Sequence, residues 1–257
     1  MLISPSQKIA FIHIQKTAGS TIENILRAQF DDMKTVGTRH SSVKVGIETL
    51  DDWNQYFSFA FVRNPWDRLV SWYNMIEEAG RIKWRERNKS ERNRNRYEKA
   101  RTLGIWIYVL HNTSSFDDFI HLLARLKRYE KNHSKWEFFI KNSRSFDDFV
   151  HILYNINNIN NPRLITLEWD QLYYLTDKNE KIAVDFVGRF ESFQTDFGII
   201  CDRIGIDQQK IKPLNRIMNR SNHKHYSEYY TQETRAIVQN LYQRDIDYFN
   251  YKFERTS

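Results

Sequence analysis

Lys8-Ile9-Ala10-Phe11-Ile12-His13-Ile14-Gln15-Lys16-Thr17-Ala18-Gly19-Ser20-Thr21 is the stretch on which the fold turns. Its first seven residues form a short apolar run rich in β-formers and predict a buried strand. Ile22, Ile25, Leu26 and Phe30 then recur at helical spacing. The pattern is strand, tight polar loop, helix. A helix that starts behind such a loop offers backbone N–H groups and the positive end of its dipole, which suits an anion. Lys16 adds a positive charge, Gly19 allows close backbone approach, and Thr17, Ser20 and Thr21 add hydroxyls around Ala18. The order is not that of the ATP-binding G-x-x-x-x-G-K-[ST] loop, because the Lys precedes the glycine and no glycine lies upstream. Alone, the loop reads equally well as a helix start that is merely capped by its polar residues.

A second corner of the same kind follows. Phe57-Ser58-Phe59-Ala60-Phe61-Val62 predicts another buried strand, and Arg63-Asn64-Pro65 opens a helix with Trp66, Leu69, Val70, Tyr73 and Met75 on its apolar side. Arg63 at the strand end and Ser71 two turns later are placed to grip a second phosphate. Paired anion sites at the ends of neighbouring parallel strands are where open α/β sheets bind ligands. One ligand with phosphates at both ends accounts for both. Strand-like runs at Arg163–Leu167 and Ile182–Val187, a helix over Phe193–Ile204 stopped at Gly205, and a last helix over roughly Gln232–Tyr248 complete the alternation. The expected fold is α/β, one domain over residues 1–257, with a parallel central sheet flanked by helices.

Composition narrows the class. With 257 residues and 40% apolar content the chain can build a sizeable core, and 8 Gly and 4 Pro argue against a loop-rich all-β protein. The single cysteine, Cys201, excludes a disulfide framework and a multi-cysteine zinc site, and its apolar neighbours predict a buried thiol. The N-terminus lacks a signal-peptide pattern, and no apolar run reaches 18 residues, so a cytoplasmic protein without membrane contact is expected.

The net charge of +7 is concentrated between Gly80 and Arg101, where ten Lys/Arg face three Glu. That stretch reads either as a steering surface for an anionic acceptor or as a solvated insert. Trp84 and Tyr97 are interleaved with it, but no nucleic-acid-binding module accompanies them. Ser115-Phe116-Asp117-Asp118-Phe119-Ile120-His121-Leu122-Leu123 recurs at 145–153 with seven of nine positions identical. Each copy predicts a helix start with Ser as N-cap and Asp in the first turn. Two copies indicate a local duplication within a helical, basic insert over about 80–160 rather than a solenoid.

Here a resemblance becomes specific. Phe11 to Thr21 resembles the 5′-phosphosulfate loop of sulfotransferases that use 3′-phosphoadenosine-5′-phosphosulfate (PAPS). Phe59 to Ser71 is similar to their 3′-phosphate motif, in the carbohydrate-type branch that includes heparan and chondroitin sulfotransferases. Val184–Glu191 and Leu214–Tyr230 resemble later blocks of that branch. The resemblance covers roughly residues 8–78 and 163–253. It implies a P-loop-kinase-like fold, a PAPS donor released as 3′,5′-ADP, and no metal. The lack of an apolar anchor segment separates the chain from Golgi-resident relatives and leads us to expect a soluble, bacterial-style member. Lys16 would neutralise charge on the leaving phosphate. Lys16 with Thr17, Ala18, Gly19, Ser20 and Thr21 would hold the 5′-phosphate, and Arg63 and Ser71 the 3′-phosphate. Asn219–Tyr226 resembles a loop near the nucleotide, which adds Arg220 and Ser221 and leaves His223 and His225 open as contacts.

The acceptor hydroxyl needs a base, and His40 is the only histidine between Lys16 and Arg63. Its other reading is a loop or capping residue, and His13 reads as a strand residue lining the sheet. The expected reaction is sulfuryl transfer to an acceptor hydroxyl, on a carbohydrate by extension of the branch. The rivals are an ATP-dependent phosphotransferase on a related scaffold and a non-catalytic protein that binds anions or nucleic acid.

Overall fold

The computed structural model describes residues 1–85, 115–117, 121, 170–211 and 224–255, with side chains in the first span described to residue 75. Most of the basic stretch, the strand-like run 163–167, the second copy of the repeat, Arg220, Ser221 and His223 lie outside the described residues. The chain forms two compact units. The first holds Met1–Arg68, Trp169–Asn222 and Arg244–Lys252, and the second holds Leu69–Glu168, His223–Gln243 and Phe253–Ser257.

Among the described residues the first unit is built on a five-stranded sheet. Strand β1 (Leu2–Ser4) and β2 (Ile9–Ile12) are followed by helix α1 (Gly19–Gln29), β3 (Lys34–Thr35), α2 (Val43–Thr49) and β4 (Phe57–Val62). Helix α3 (Pro65–Arg85) starts in this unit and continues into the second. Then come α4 (Leu172–Leu175), β5 (Phe186–Arg189) and α5 (Phe193–Ile204).

The strand order is β3-β1-β2-β4-β5. Strands β2, β4 and β5 are parallel, as expected, with Phe11 opposite Phe59 and Ala60 opposite Val187. The other edge corrects the all-parallel expectation, since β1 runs antiparallel to both β2 and β3. Only four residues join β1 to β2, too few for the crossover that a parallel pair needs. Leu2, Ile9, Phe11, Phe59 and Phe61 pack with Ile22, Leu26, Phe193 and Phe197 in one core cluster. Met1, Ile3, Ala10, Val36 and Tyr56 form another. Alternate residues of the same strands therefore enter separate cores, which is why these strands read as continuous apolar runs.

Local signals decided several ends. Helix α5 stops at Gly205, whose φ of 74° is left-handed backbone that glycine adopts without a Cβ clash. Cys201 on α5 is fully buried, and burial pushes its thiol pKa up to about 11. The strand expected over Ile182–Val187 is displaced to Phe186–Arg189. Asp185 accounts for the shift: Ser58 N–H and Oγ both donate to its carboxylate at 2.7 Å, so pairing with β4 begins beyond it. The last helix is also corrected. It breaks at Tyr242 into α6 (Gln232–Leu241) and α7 (Gln243–Phe249).

In the second unit Phe116 of the first repeat copy is buried against Tyr73, Tyr229 and Tyr230, with ring centroids 4.9–5.5 Å apart. Asp117 accepts from Thr234 Oγ1 at 2.8 Å, beside the Thr231–Thr234 capping box that starts α6. Among the described residues no helix is long and apolar enough to cross a membrane.

Candidate functional site

The loop between β2 and α1 is shaped by two left-handed residues, Lys16 (φ 68°) and Ala18 (φ 67°). Neither is glycine, so each conformation costs about 1–2 kcal/mol and persists only because the surroundings enforce it. Those surroundings are visible. Arg68 Nε donates to the Gln15 carbonyl and Arg63 Nη1 to the Lys16 carbonyl, each at 3.1 Å. Thr17 Oγ1 closes the loop from within by donating to Ile14 O at 2.8 Å. Its hydroxyl proton is thus engaged in loop structure, a role the motif alone did not reveal.

Helix α1 then starts with no side-chain cap and no acidic residue in its first turn. Such a start leaves the dipole end uncompensated, as an anion site requires. Thr21 is buried, while Lys16 and Ser20 are half-buried at the loop surface.

Gly19 is required here for room. A Cβ at this position would lie 2.1 Å from Cδ2 and Nε2 of the buried His13 imidazole. Gly19→Ala should therefore destabilise the protein by about 1–3 kcal/mol, the usual cost of overpacking. Urea unfolding checks this, and an unchanged midpoint would show that the ring can move aside.

His13 corrects its reading as a sheet residue. It lies one residue past β2, and its Nδ1 meets Glu23 Oε1 at 2.9 Å. A carboxylate can only accept from a neutral imidazole's N–H, so Nδ1 carries the proton. Glu23 also accepts from Arg39 Nη2 at 2.6 Å; burial acts to raise its pKa, but the two partners together outweigh it and hold the pKa down to about 2. Arg39 Nη2 donates in turn to Ser20 Oγ at 3.0 Å. Glu23 and Arg39 were not singled out from the sequence. The available signal was an imidazole inside an apolar run, which needs a buried partner.

His40 lies in this network. Its Nδ1 is 2.9 Å from the His13 carbonyl, which can only accept, so the neutral ring keeps a lone pair on Nε2. The two imidazoles meet edge to face at 4.5 Å. Burial first, then the neighbouring His13, lowers the His40 pKa to about 3. A histidine held neutral in the fold contributes stability that is present above its unfolded pKa of about 6.5 and lost as pH falls towards 3. Urea midpoints should therefore decline below pH 6.5 in the wild type and less steeply in His40→Asn. Parallel slopes between pH 6.5 and 4.5 would remove this assignment.

At the second corner Arg63 is buried at the end of β4. Its Nε pairs with Asp67 at 2.7 Å, and its guanidinium stacks 3.9 Å from the Phe190 ring centroid. Its backbone is gripped as well. The Gln171 amide accepts from Arg63 N–H and donates to Arg63 O, both at 2.8 Å. Ser71 is buried on α3 within the second unit. Two hydrogen-bonded sets thus flank the β2–α1 loop: Arg63 on the Lys16 carbonyl with Thr17 closing the loop, and Ser20, Arg39, Glu23, His13 and His40 linked in sequence. This arrangement can hold anionic groups beside a neutral imidazole.

No curated protein and no solved structure shows a significant match to the chain. The model of the Sulfotransferase family matches residues 1–252, nearly the whole chain, and the protein therefore belongs to the sulfotransferase family.

Proposed function

We propose that the protein transfers a sulfuryl group from PAPS to an acceptor hydroxyl, with the β2–α1 loop holding the 5′ end of the donor and Arg63 the 3′-phosphate. The observation that carries this reading is an uncapped helix start behind a strained loop, in a chain of the sulfotransferase family. In the reaction the acceptor oxygen bonds to sulfur as the bond from sulfur to the 5′-phosphate oxygen breaks. Lys16 neutralises charge on the departing phosphate, and His40 Nε2 takes the hydroxyl proton. The products are 3′,5′-ADP and the sulfate ester. Positioning and electrostatic stabilisation do the work, as in phosphoryl transfer.

A general base works best with a pKa near the working pH, and a bound donor would bring negative charge beside His40. Negative charge brought close to an imidazole favours its protonated form and raises its pKa. Ser71, Arg220 and Ser221 complete the proposed nucleotide contacts. The acceptor is a carbohydrate and the scaffold P-loop-like, both by extension from the branch resembled, and the enzyme is cytoplasmic and metal-independent.

A thermal-shift titration tests the donor. A nucleotide that binds only the folded state raises the melting temperature by mass action, worth about 2.7 kcal/mol at a hundred times its Kd. Stabilisation by 3′,5′-ADP without metal, lost in Arg63→Ala, is the expected result. A shift with ATP and Mg²⁺ alone would overturn PAPS as donor.

A further inference from the structure

Glu23 sits on α1, just past the anion loop, and is 8% exposed. One oxygen accepts from His13 Nδ1 at 2.9 Å, and the other from Arg39 Nε at 2.8 Å and Nη2 at 2.6 Å. Each partner holds a part of the site. The His13 carbonyl takes the His40 Nδ1 proton, which directs the lone pair to Nε2. Arg39 precedes His40 in the chain and donates to Ser20 Oγ in the first turn of α1. A single buried carboxylate therefore ties the imidazole, the loop segment that carries it, and one hydroxyl of the anion loop.

We propose that Glu23 is a positioning residue for sulfuryl transfer, setting the His40 imidazole through His13 and Arg39. The proposal rests on His40 being the base. Glu23 touches neither donor nor acceptor, so its contribution reaches the reaction only through the groups it orients. Glutamine has nearly the same shape, but one of its ends carries N–H donors. It can accept from His13 or from Arg39, and it opposes the other.

The test is a double-mutant cycle on turnover with Glu23→Gln and His40→Ala, with the Tm shift by 3′,5′-ADP measured for every variant. Glu23→Gln alone should lower kcat about 10- to 100-fold, a share of the 10²–10⁴-fold typical of a general base. Its KM for PAPS and its Tm shift should stay within about three-fold of wild type. In the His40→Ala background the same substitution should cost no further turnover, because groups that act as one unit are non-additive. An equal fractional loss in both backgrounds, or a raised KM with kcat intact, overturns the proposal and leaves His40 as base. Full turnover in His40→Ala alone overturns the base assignment, and the positioning role with it.

If Glu23→Gln does not fold, Arg39→Gln severs the outer arm at a side chain that is 44% exposed. It should lower kcat in the wild-type background and leave it unchanged in His40→Ala. Undiminished turnover in Arg39→Gln would overturn the proposal.

Discussion

Lys16→Ala should lower kcat by about 10²–10³-fold and leave the fold intact. That magnitude is the usual cost of removing one preorganised electrostatic group from a transition state. The structure separates the side chain from the backbone at this position. Arg63 grips the Lys16 carbonyl, which alanine retains, and the φ of 68° is equally strained for Lys and Ala. Loop geometry and the contact between the two corners should therefore survive. Single-turnover rates with PAPS, alongside the Tm with and without 3′,5′-ADP, check the claim. Wild-type turnover in a folded Lys16→Ala would remove the lysine from the chemistry. A variant that neither binds nucleotide nor melts cooperatively would show that the side chain also builds the loop.

The largest stability effect is expected at Asp245, far from either motif in sequence. Its fully buried carboxylate accepts from Gln171 N–H at 2.8 Å, from Leu172 N–H at 3.0 Å and from Gln171 Nε2 at 3.2 Å. The same Gln171 side chain holds both backbone groups of Arg63. Asp245→Ala strands these buried donors, at about 1–3 kcal/mol for each one left unsatisfied, so a loss of roughly 3–5 kcal/mol is expected. Asp245→Asn keeps one carbonyl oxygen for the backbone donors and should lose less than half as much.

The pH dependence gives an independent check. Burial, opposed by the hydrogen bond from Gln171, raises the Asp245 pKa to about 6. A carboxyl whose folded pKa is raised stabilises the protein below its unfolded pKa, near 3.8, and this contribution is lost as pH rises through 6. Asparagine does not titrate. The stability gap between wild type and Asp245→Asn should therefore widen as pH falls from about 6 to 4. A gap that narrows over that range would contradict the burial of this carboxyl.

Much of the site was legible because it is local. The apolar runs 8–14 and 57–62, each followed by a polar corner and a helical period, place Lys16 and Arg63 at the ends of strands that prove to be parallel neighbours. The Arg63–Asp67 pair spans four residues, and Gly205 terminates α5 where a left-handed C-cap is needed. Ser71 is buried on the helix where its spacing put it, but spacing alone could not say what its hydroxyl faces.

The rest depends on partners far apart in sequence. The strand expected from Ile182 starts at Phe186, because Ser58, 127 residues from Asp185, donates to its carboxylate. The left-handed loop is enforced by Arg63 and Arg68 from another strand end and helix. His13 reads as a strand residue until Glu23 and His40 stand beside it.

The sequence by itself determined the α/β alternation, the two strand–loop–helix corners and the family resemblance, since each is written in residue types within one strand–loop–helix unit. Only the tertiary structure decided the antiparallel edge, the break at Tyr242 and the network of Glu23, Arg39, His13 and His40. The physical reason is that a buried polar group must find its partner wherever the fold brings one, and no local pattern encodes that choice.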